Sequence, residues 1–561
     1  MERLIECVPN FSEGCDMNVI REITSEIEKV AGVKLLNVDP GKATNRTVVT
    51  FVGTPEAVCE AAFCAIRKAG QLIDMRRHKG EHPRMGATDV CPLIPVAGIS
   101  MEETVAYAKS LGERVGRELG IPVYLYEYAQ PDVSRKNLSV IRAGEYEGFF
   151  KKIKQPGWKP DFGPSEFPAG TGATVIGARD FLVAYNVNLN TTSVRRANSI
   201  AFDVREAGRV KREGNPVTGK IVTDEKGNPV NIPGSLKSVK AIGWYIEEYG
   251  IAQISMNLTN INITPVHIAF DEVCRKAEAR GIRVTGSELV GLVPLKSMLD
   301  AGKYFLARQK RSAGVSEKEL IKIAVKSLGL DELAPFKPGE RIIEYLLEDK
   351  TKKKLVSMTL EEFSDETASE SPAPGGGSIS AYIGALGVSL GTMVANLSSH
   401  KPGWDDRWEE FSVWAEKGRQ YRDALMKMVD EDTGAFNKIM SAMGLPKGND
   451  EEKKQRTQAI QAATKYAIEV PLRVMEISCD SMEVIKAMAE TGNPNSVTDA
   501  AVGALCARSA VMGAFLNVKI NAKGLADKKF VEDVISKGNK IQERAQKKED
   551  EILAITAEKI K

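Results

Sequence analysis

Residues 78–85 read HKGEHPRM, which puts two of the four histidines of the chain, His78 and His82, on one short segment. Arg76, Arg77, Lys79 and Arg84 surround them, and Glu81 lies between. Pro83 and Gly86 stiffen the segment into a loop that leads into an apolar run at 90–95. A neutral imidazole held on such a loop can serve as a general base. Neighbouring arginines would lower its pKa and can clasp a carboxylate through two parallel hydrogen bonds. The plainer alternative is a basic surface loop whose histidines are incidental. Zinc is not expected, because no third ligand accompanies the two.

A second signal lies at 425–439. Leu425, Met428, Asp432, Ala435 and Ile439 recur at spacings of three and four, which is one stripe of a helix. Asp432 interrupts that apolar stripe, whereas Asp430 points elsewhere. An unpaired buried carboxylate is costly, so such a residue has a partner or a role. Desolvation would raise its pKa and favour proton donation. The alternative is a slightly rotated helix with Asp432 at the stripe edge.

Three segments carry weaker signals. FGPSEFPAGTG at 162–172 is a Gly/Pro-rich loop before a strand, neither a GxGxxG nor a phosphate loop, and alone it reads as a connection. PGGGS at 374–378 opens a long uncharged helix whose first N–H groups could seat an anion, or whose glycines could simply allow close packing. Ser496 and Asp499 have the spacing of a capping box before a helix at 500–518.

The elements that must position these residues fall into two styles. In the first third, strands are expected at 3–11, 33–38, 46–52, 90–95 and 122–128, with helices at 17–30, 55–73 and 101–119. That β-α-β-β-α-β order predicts antiparallel or mixed sheets with helices on one face, an α+β pattern. A second unit starts near Phe181 with strict apolar alternation, then strands at 251–258 and 283–285 around a helix at 265–279. GNPV occurs at 214–217 and again at 227–230, a turn signal for a surface hairpin. EDKTKKK at 348–354 is a charged linker, and from Met358 a helical period dominates, broken at 371–377, 444–449 and 492–495.

At 561 residues the chain has room for about three to five domains. A net charge of +2 gives no global field for nucleic acid or an anionic membrane, so any anion must be held by local lysines and arginines. The 8 cysteines are scattered without a CxxC pair, the usage of a reduced, intracellular protein. MERLIECVPNF begins a strand and lacks the layout of a signal peptide. The uncharged run at 379–397 has the length and GxxxG spacing of a membrane span, but its serines, threonine, asparagine and glycines favour a buried bundle helix.

Taken together, the motifs resemble known families. CVPNFSEG (7–14), NVDPG (37–41), HKGEHPRMGATDVCPLIP (78–95) and FGPSEF (162–167) are similar to the glutamate formimidoyltransferase family. NLTN (257–260) and GSELVGLVP (286–294) extend that resemblance. SPAPGGGS (371–378), VDEDTGAF (429–436), VPL (470–472), GNPNSVTDA (492–500) and FLNVKIN (515–521) resemble the cyclodeaminase and methenyltetrahydrofolate cyclohydrolase family. In this order the two resemble the bifunctional formimidoyltransferase-cyclodeaminase family.

The resemblance implies an α+β fold of two α/β-sandwich subdomains with mixed sheets (1–180 and 181–335), a linker (336–354) and an all-α helical bundle (355–561). It implies transfer of a formimidoyl group from N-formimidoyl-L-glutamate to N5 of tetrahydrofolate, then cyclisation to 5,10-methenyltetrahydrofolate with release of ammonia. The implied catalytic residues are His82 for transfer and Asp432 for cyclodeamination. The expected substrate- and folate-binding set is Asp39, Arg84, Gly163, Pro164, Ser165, Glu166, Phe167, Gly170, Gly172, Gly376, Ser378 and Asp499. Tetrahydrofolate is expected as a polyglutamylated co-substrate, with no metal, in a cytoplasmic homo-oligomer that has neither a nucleic-acid partner nor a membrane span. Two other readings stay open: a formyl or formimidoyl transferase joined to a methenyltetrahydrofolate cyclohydrolase, and a non-catalytic folate-binding scaffold. HKPGWDDRW at 400–408 is not accounted for by the resemblance.

Overall fold

The computed structural model describes residues 3–42, 44–80, 83–215, 218–225, 227–347 and 354–561. Glu81 and His82, residues 216–217 of the first GNPV and most of the charged stretch, 348–353, lie outside the described residues. The chain divides into two compact units, Met1–Ser297 with Leu328–Glu348 and Met298–Ser327 with Asp349–Lys561.

The first unit opens with β1 (Leu4–Cys7) and β2 (Asn10–Phe11), where one strand was expected. Pro9 between them has no N–H to give to a ladder, so pairing stops and restarts. β3 (Val33–Gly41), β4 (Arg46–Gly53), β5 (Thr88–Ala97), β6 (Val123–Glu127) and β7 (Thr174–Ala178) complete a mixed sheet of order β1-β4-β2-β5-β7-β6, with β3 on β4. β5, β7 and β6 run parallel.

Helices α1 (Met17–Glu28), α2 (Pro55–Leu72) and α3 (Met101–Leu119) pack their apolar stripes on this sheet. Local sequence sets their ends. Asp16 caps α1, Pro55 starts α2, and Ser100 with Glu103 forms a capping box on α3. Gly120, at φ 65, ends α3 in the left-handed conformation. Two short helices follow, α4 (Leu138–Arg142) and α5 (Glu145–Lys152).

β8 (Val183–Leu189) is the centre of a second, fully antiparallel sheet. Its order is β11-β12-β8-β13, formed with β11 (Val239–Ile246), β12 (Ile251–Leu258) and β13 (Val284–Val290). α6 (Val194–Val204) and α7 (Val266–Glu278) pack against it. The polar excursion between α6 and β11 carries β9 (Arg209–Val210) paired antiparallel with β10 (Asn231–Ile232). The expected hairpin is therefore present, though β10 itself is exposed.

The second unit is helical. It takes in most of α8 (Leu295–Arg308) and of α9 (Glu317–Leu328). α12 (Leu360–Ala368), α13 (Gly376–Ser399), α14 (Trp408–Met443), α15 (Asp450–Thr491), α16 (Val497–Ala522) and α17 (Lys528–Lys559) follow. α10 (Pro338–Arg341) and α11 (Ile343–Leu347) lie in the first unit. α13, and the segment Pro494–Ala522 that contains α16, are long and apolar enough to cross a membrane by length and composition. Here more than half of each apolar window is buried, and α13 packs on α14, α15 and α16. The small residues explain this packing. A Cβ at Gly387 would lie 2.7 Å from the Gly503 carbonyl, and one at Gly391 would lie 3.1 Å from Ile485.

Two expectations for this unit need correction. The chain also breaks between α13 and α14, where Pro402 and Gly403 mark a turn that the expected breaks did not include, and between α16 and α17, where Gly524 stands without a proline. The Ser496/Asp499 capping box does not form. A turn at Pro494–Ser496, capped by Asn493 onto the Asn495 N–H, runs straight into α16 and leaves Ser496 without a capping bond. One interior proline is also accommodated. Pro471 in α15 offers no N–H to the Ala467 carbonyl four residues back, and the Asn521 side chain of α16 donates to that carbonyl at 2.8 Å.

Candidate active sites

In the first unit, three loops meet through Asn45, which lies in the left-handed region at φ 45. Its side chain accepts from the Gly14 N–H at 2.9 Å and donates to the Lys79 carbonyl at 2.8 Å. A Cβ on Gly80 would collide with the Thr44 backbone, and one on Gly14 with Gly41 and Arg46. The motifs at 7–14, 37–41 and 78–95 are therefore one assembly in space. His78 Nε2 is 2.9 Å from the Asn45 carbonyl, and its Nδ1 accepts from Arg84 Nε at 3.3 Å. This network puts the proton on Nε2 and commits the ring to holding the loop.

Arg84 is buried and occupied. Its guanidinium donates to Glu145 at 3.1 Å and to Glu147 at 3.0 and 2.7 Å. The expectation that Arg84 offers a fork to a substrate carboxylate is not met by this geometry, since two glutamates of α5 already fill that fork. Pairing with Arg84 holds Glu147 below the usual carboxylate range.

Beneath the loop, Asp89 is 1% exposed, with Arg142 at 2.6 Å and Arg46 at 3.6 Å, and it accepts from the Met85 N–H. Sequence reasoning passed over this cluster, although one acid at the head of the apolar strand at 88–97 was a visible signal.

The folate-loop expectation divides. Gly170, Thr171 and Gly172 lie against residues flanking the His78–Met85 segment: Met75 N–H donates to Gly170 O, Ala87 N–H to Thr171 O, and Gly172 bridges Gly86. A Cβ on Gly172, at φ 68, would strike the Met85 carbonyl. Phe167 anchors the loop by packing on Tyr146, Phe149 and Phe150 with ring centroids 4.8–5.6 Å apart. Gly163, Pro164, Ser165 and Glu166 are exposed, and Gly163 abuts Gly116 of α3 and the Ile121 carbonyl. Asp39 is exposed on β3, opposite Val48.

The second unit uses helices instead. Leu425, Met428 and Ala435 are buried on α14, and the Asp432 carboxyl meets the first turn of α13. A Cβ on Gly377 would collide with both Asp432 oxygens, so only glycine admits this approach. The Ser378 hydroxyl, fully buried, is 2.8 Å from the Val429 carbonyl and 3.2 Å from Asp432 Oδ2, so two acceptors compete for one proton. Burial pushes the Asp432 pKa up, and the side-chain and backbone hydrogen bonds from Ser378 pull it down, with a net rise.

The adjacent acids are engaged elsewhere. Asp430 accepts from the Leu355 N–H at 2.7 Å, and Glu431 pairs with Arg473 and accepts from Tyr466 at 2.7 Å. Asn517 of α16 lies beside Gly376. A cleft of about 500 Å³ lined by Lys438, Leu445, Ala459, Ala463 and Tyr466 lies between the end of α14 and α15. Asp499 is not brought to this site, because it lies near the start of α16, about 27 Å of helical rise from Asn517. Among the described residues no three His, Cys, Asp or Glu side chains are grouped to hold a metal ion.

Three family models match the chain: the formiminotransferase domain, N-terminal subdomain, at residues 4–179, the formiminotransferase domain at 184–348, and formiminotransferase-cyclodeaminase at 359–540. The formimidoyltransferase-cyclodeaminase of Gallus gallus is 45% identical over 556 residues, covering 99% of each chain. The glutamate formimidoyltransferase of Streptococcus pyogenes serotype M1 is 38% identical over 306 residues, 54% of this chain and 94% of that one. The methenyltetrahydrofolate cyclohydrolase of Methylorubrum extorquens is 40% identical over 175 residues, 31% of this chain and 84% of that one. With likeness of this strength over nearly its whole length, the chain belongs to the formimidoyltransferase-cyclodeaminase family.

Proposed function

We propose that this chain transfers the formimidoyl group of N-formimidoyl-L-glutamate to N5 of tetrahydrofolate and then cyclises the product to 5,10-methenyltetrahydrofolate, releasing ammonia. Residues 1–335 carry the transfer and residues 355–561 the cyclodeamination. In the first step N5 attacks the amidine carbon, the bond from that carbon to the glutamate nitrogen breaks, and the N5 proton passes to the departing amine. His82 is the proton carrier, and the Asn45, His78 and Arg84 network positions its loop. In the second step N10 attacks the same carbon. Asp432, protonated at the start of the step, gives its proton to the nitrogen that leaves as ammonia and takes the N10 proton in its place.

The observation that supports the second step best is the seat of Asp432. It alone of three consecutive acids faces the glycine turn of α13, and its pKa is raised, as a proton donor requires. The cleft beside Tyr466 and Lys438 offers an apolar wall with one cation for a folate. The folate is polyglutamylated, and the enzyme is a cytoplasmic homo-oligomer. Exposed apolar side chains on α13 (Leu386, Leu397) and α16 (Leu505, Leu516) support self-association.

The test follows glutamate, ammonia and methenyl absorbance from formimidoylglutamate and tetrahydrofolate. His82→Ala lowers transfer about a thousandfold and spares deamination, and Asp432→Asn does the reverse. Loss of both activities in each folded variant refutes the two-site assignment.

A second reading is favoured by the likeness of the helical region to a methenyltetrahydrofolate cyclohydrolase. Hydrolysis of methenyltetrahydrofolate faster than ammonia release from 5-formimidoyltetrahydrofolate selects it.

A further inference from the structure

The FLNVKIN motif at 515–521 places two asparagines one helical turn apart on α16. Asn521 is engaged by the carbonyl that Pro471 leaves open in α15. Asn517 makes no hydrogen bond to a neighbouring helix, and the proposed steps do not use it. It faces the start of α13, where a Cβ on Gly376 would lie 3.3 Å from its Nδ2 and 3.7 Å from its Oδ1. Small residues permit this approach. A Cβ on Gly513, one turn before Asn517, would lie 2.5 Å from Ser380 Oγ, which donates to the Gly376 carbonyl at 2.6 Å. Asp432 of α14 meets the next residue, Gly377. Thus α14 and α16 bring a carboxyl and a carboxamide to consecutive glycines of one turn, whose Cα atoms are about 3.8 Å apart.

The orientation of that carboxamide is decided by its own helix. Asn517 Nδ2 donates to the Gly513 carbonyl four residues back at 2.9 Å. The reverse orientation would set two acceptors against each other. Oδ1 is therefore turned away from the Gly513 carbonyl, and among the described residues no donor meets it. Asn517 is half-buried and its Oδ1 is not enclosed, so a ligand can reach the oxygen. Beside Asp432 the site thus holds a fixed acceptor, which can receive an N–H but has none to give.

We propose that Asn517 determines specificity in the cyclodeamination: its Oδ1 accepts a hydrogen bond from the nitrogen that leaves as ammonia, and so selects a formimidoyl group over a formyl group at N5. This rests on the assignment of deamination to the Asp432 site. The two groups differ only in carrying =NH or =O. The nitrogen bears hydrogen as the amidine, in the tetrahedral adduct and as departing ammonia, so it can donate to Oδ1 throughout. A formyl oxygen bears none and would face Oδ1 lone pair to lone pair. A site made to bond an N–H rejects the analogue that lacks it far better than shape alone can. Asp432 moves the proton, and Asn517 holds the nitrogen that receives it.

Ammonia release by the full chain from preformed 5-formimidoyltetrahydrofolate, without glutamate and with 5-formyltetrahydrofolate as competing inhibitor, tests this at the deaminase site alone. The diagnostic quantity is the ratio of the 5-formyl Ki to the 5-formimidoyl KM. Asn517→Leu keeps the volume and Asn517→Ala keeps the helix, and each lowers that ratio about tenfold, chiefly by raising KM. An asparagine with a structural role only would move both constants together. An unchanged ratio in these variants, whatever happens to kcat, overturns the proposal and leaves the deaminase assignment standing. Complete loss of turnover in both folded variants also overturns it, because removing one neutral hydrogen bond does not abolish catalysis. No ammonia from the wild type overturns the deaminase assignment and this proposal with it.

Discussion

The loop site of the first unit and the helix site of the second solve the same problem with opposite materials. Around His78 and Arg84, loops cross at Asn45 and are tied by side-chain hydrogen bonds and ion pairs. Around Asp432 few polar ties exist, and the absence of a side chain at Gly377 lets a carboxyl reach a helix N-terminus. A polar network fixes geometry through many bonds, each worth about 1 kcal/mol net. A steric cradle fixes it through one contact that a single methyl abolishes. The first should therefore erode by degrees and the second fail at once.

After the two catalytic substitutions, the largest expected effect tests that contrast. Gly377→Ala displaces Asp432 and lowers deamination about a hundredfold while transfer is kept. Gly86→Ala, whose new methyl would meet the Ala173 backbone carbonyl, disturbs the sheet as well as the loop, so both transfer and thermal stability fall. Equal loss of deamination and stability in Gly377→Ala would erase the distinction.

Next come the two asparagine ties. Asn45→Ala removes two bonds at a left-handed position and costs about 2 kcal/mol. Asn521→Ala, which frees the Ala467 carbonyl, costs about 1 kcal/mol. Denaturant unfolding of each unit's transition measures both.

Arg84→Met should destabilise by about 1–2 kcal/mol, because its glutamate partners are half exposed and regain water. Its KM for formimidoylglutamate should change little. A tenfold rise in KM with stability intact would return Arg84 to the substrate.

The smallest effect is a pH dependence. The raised Asp432 pKa means the folded protein holds that proton above the ordinary aspartate range. Deamination is then fully present below the folded pKa and falls as pH rises through it. Stability falls as pH rises from the ordinary aspartate range up to the folded pKa, because over that window the unfolded chain has released the proton and the folded one still holds it. Asp432→Asn should remove both limbs and be at least as stable as the wild type at neutral pH, which paired melting and rate profiles measure.

Much of this was legible from residues alone. Periodicity located α3 and β12 to the residue, since caps and apolar alternation are local signals. It also singled out Asp432, because a charge in an apolar stripe is visible in one dimension. The resemblance of the motifs named the family before any coordinate.

Other features were decided only by the tertiary structure. Arg84 and His78 look like reactive loop residues until Glu145, Glu147 and Asn45 arrive from distant positions and engage them. Ser496 and Asp499 have capping-box spacing, yet the turn at Pro494–Ser496 takes over the cap. Gly377 is one glycine among three until α14 sets a carboxyl against it. The reason is physical: periodicity and caps depend on neighbours along the chain, whereas a partner's charge and the room for a Cβ depend on neighbours in space.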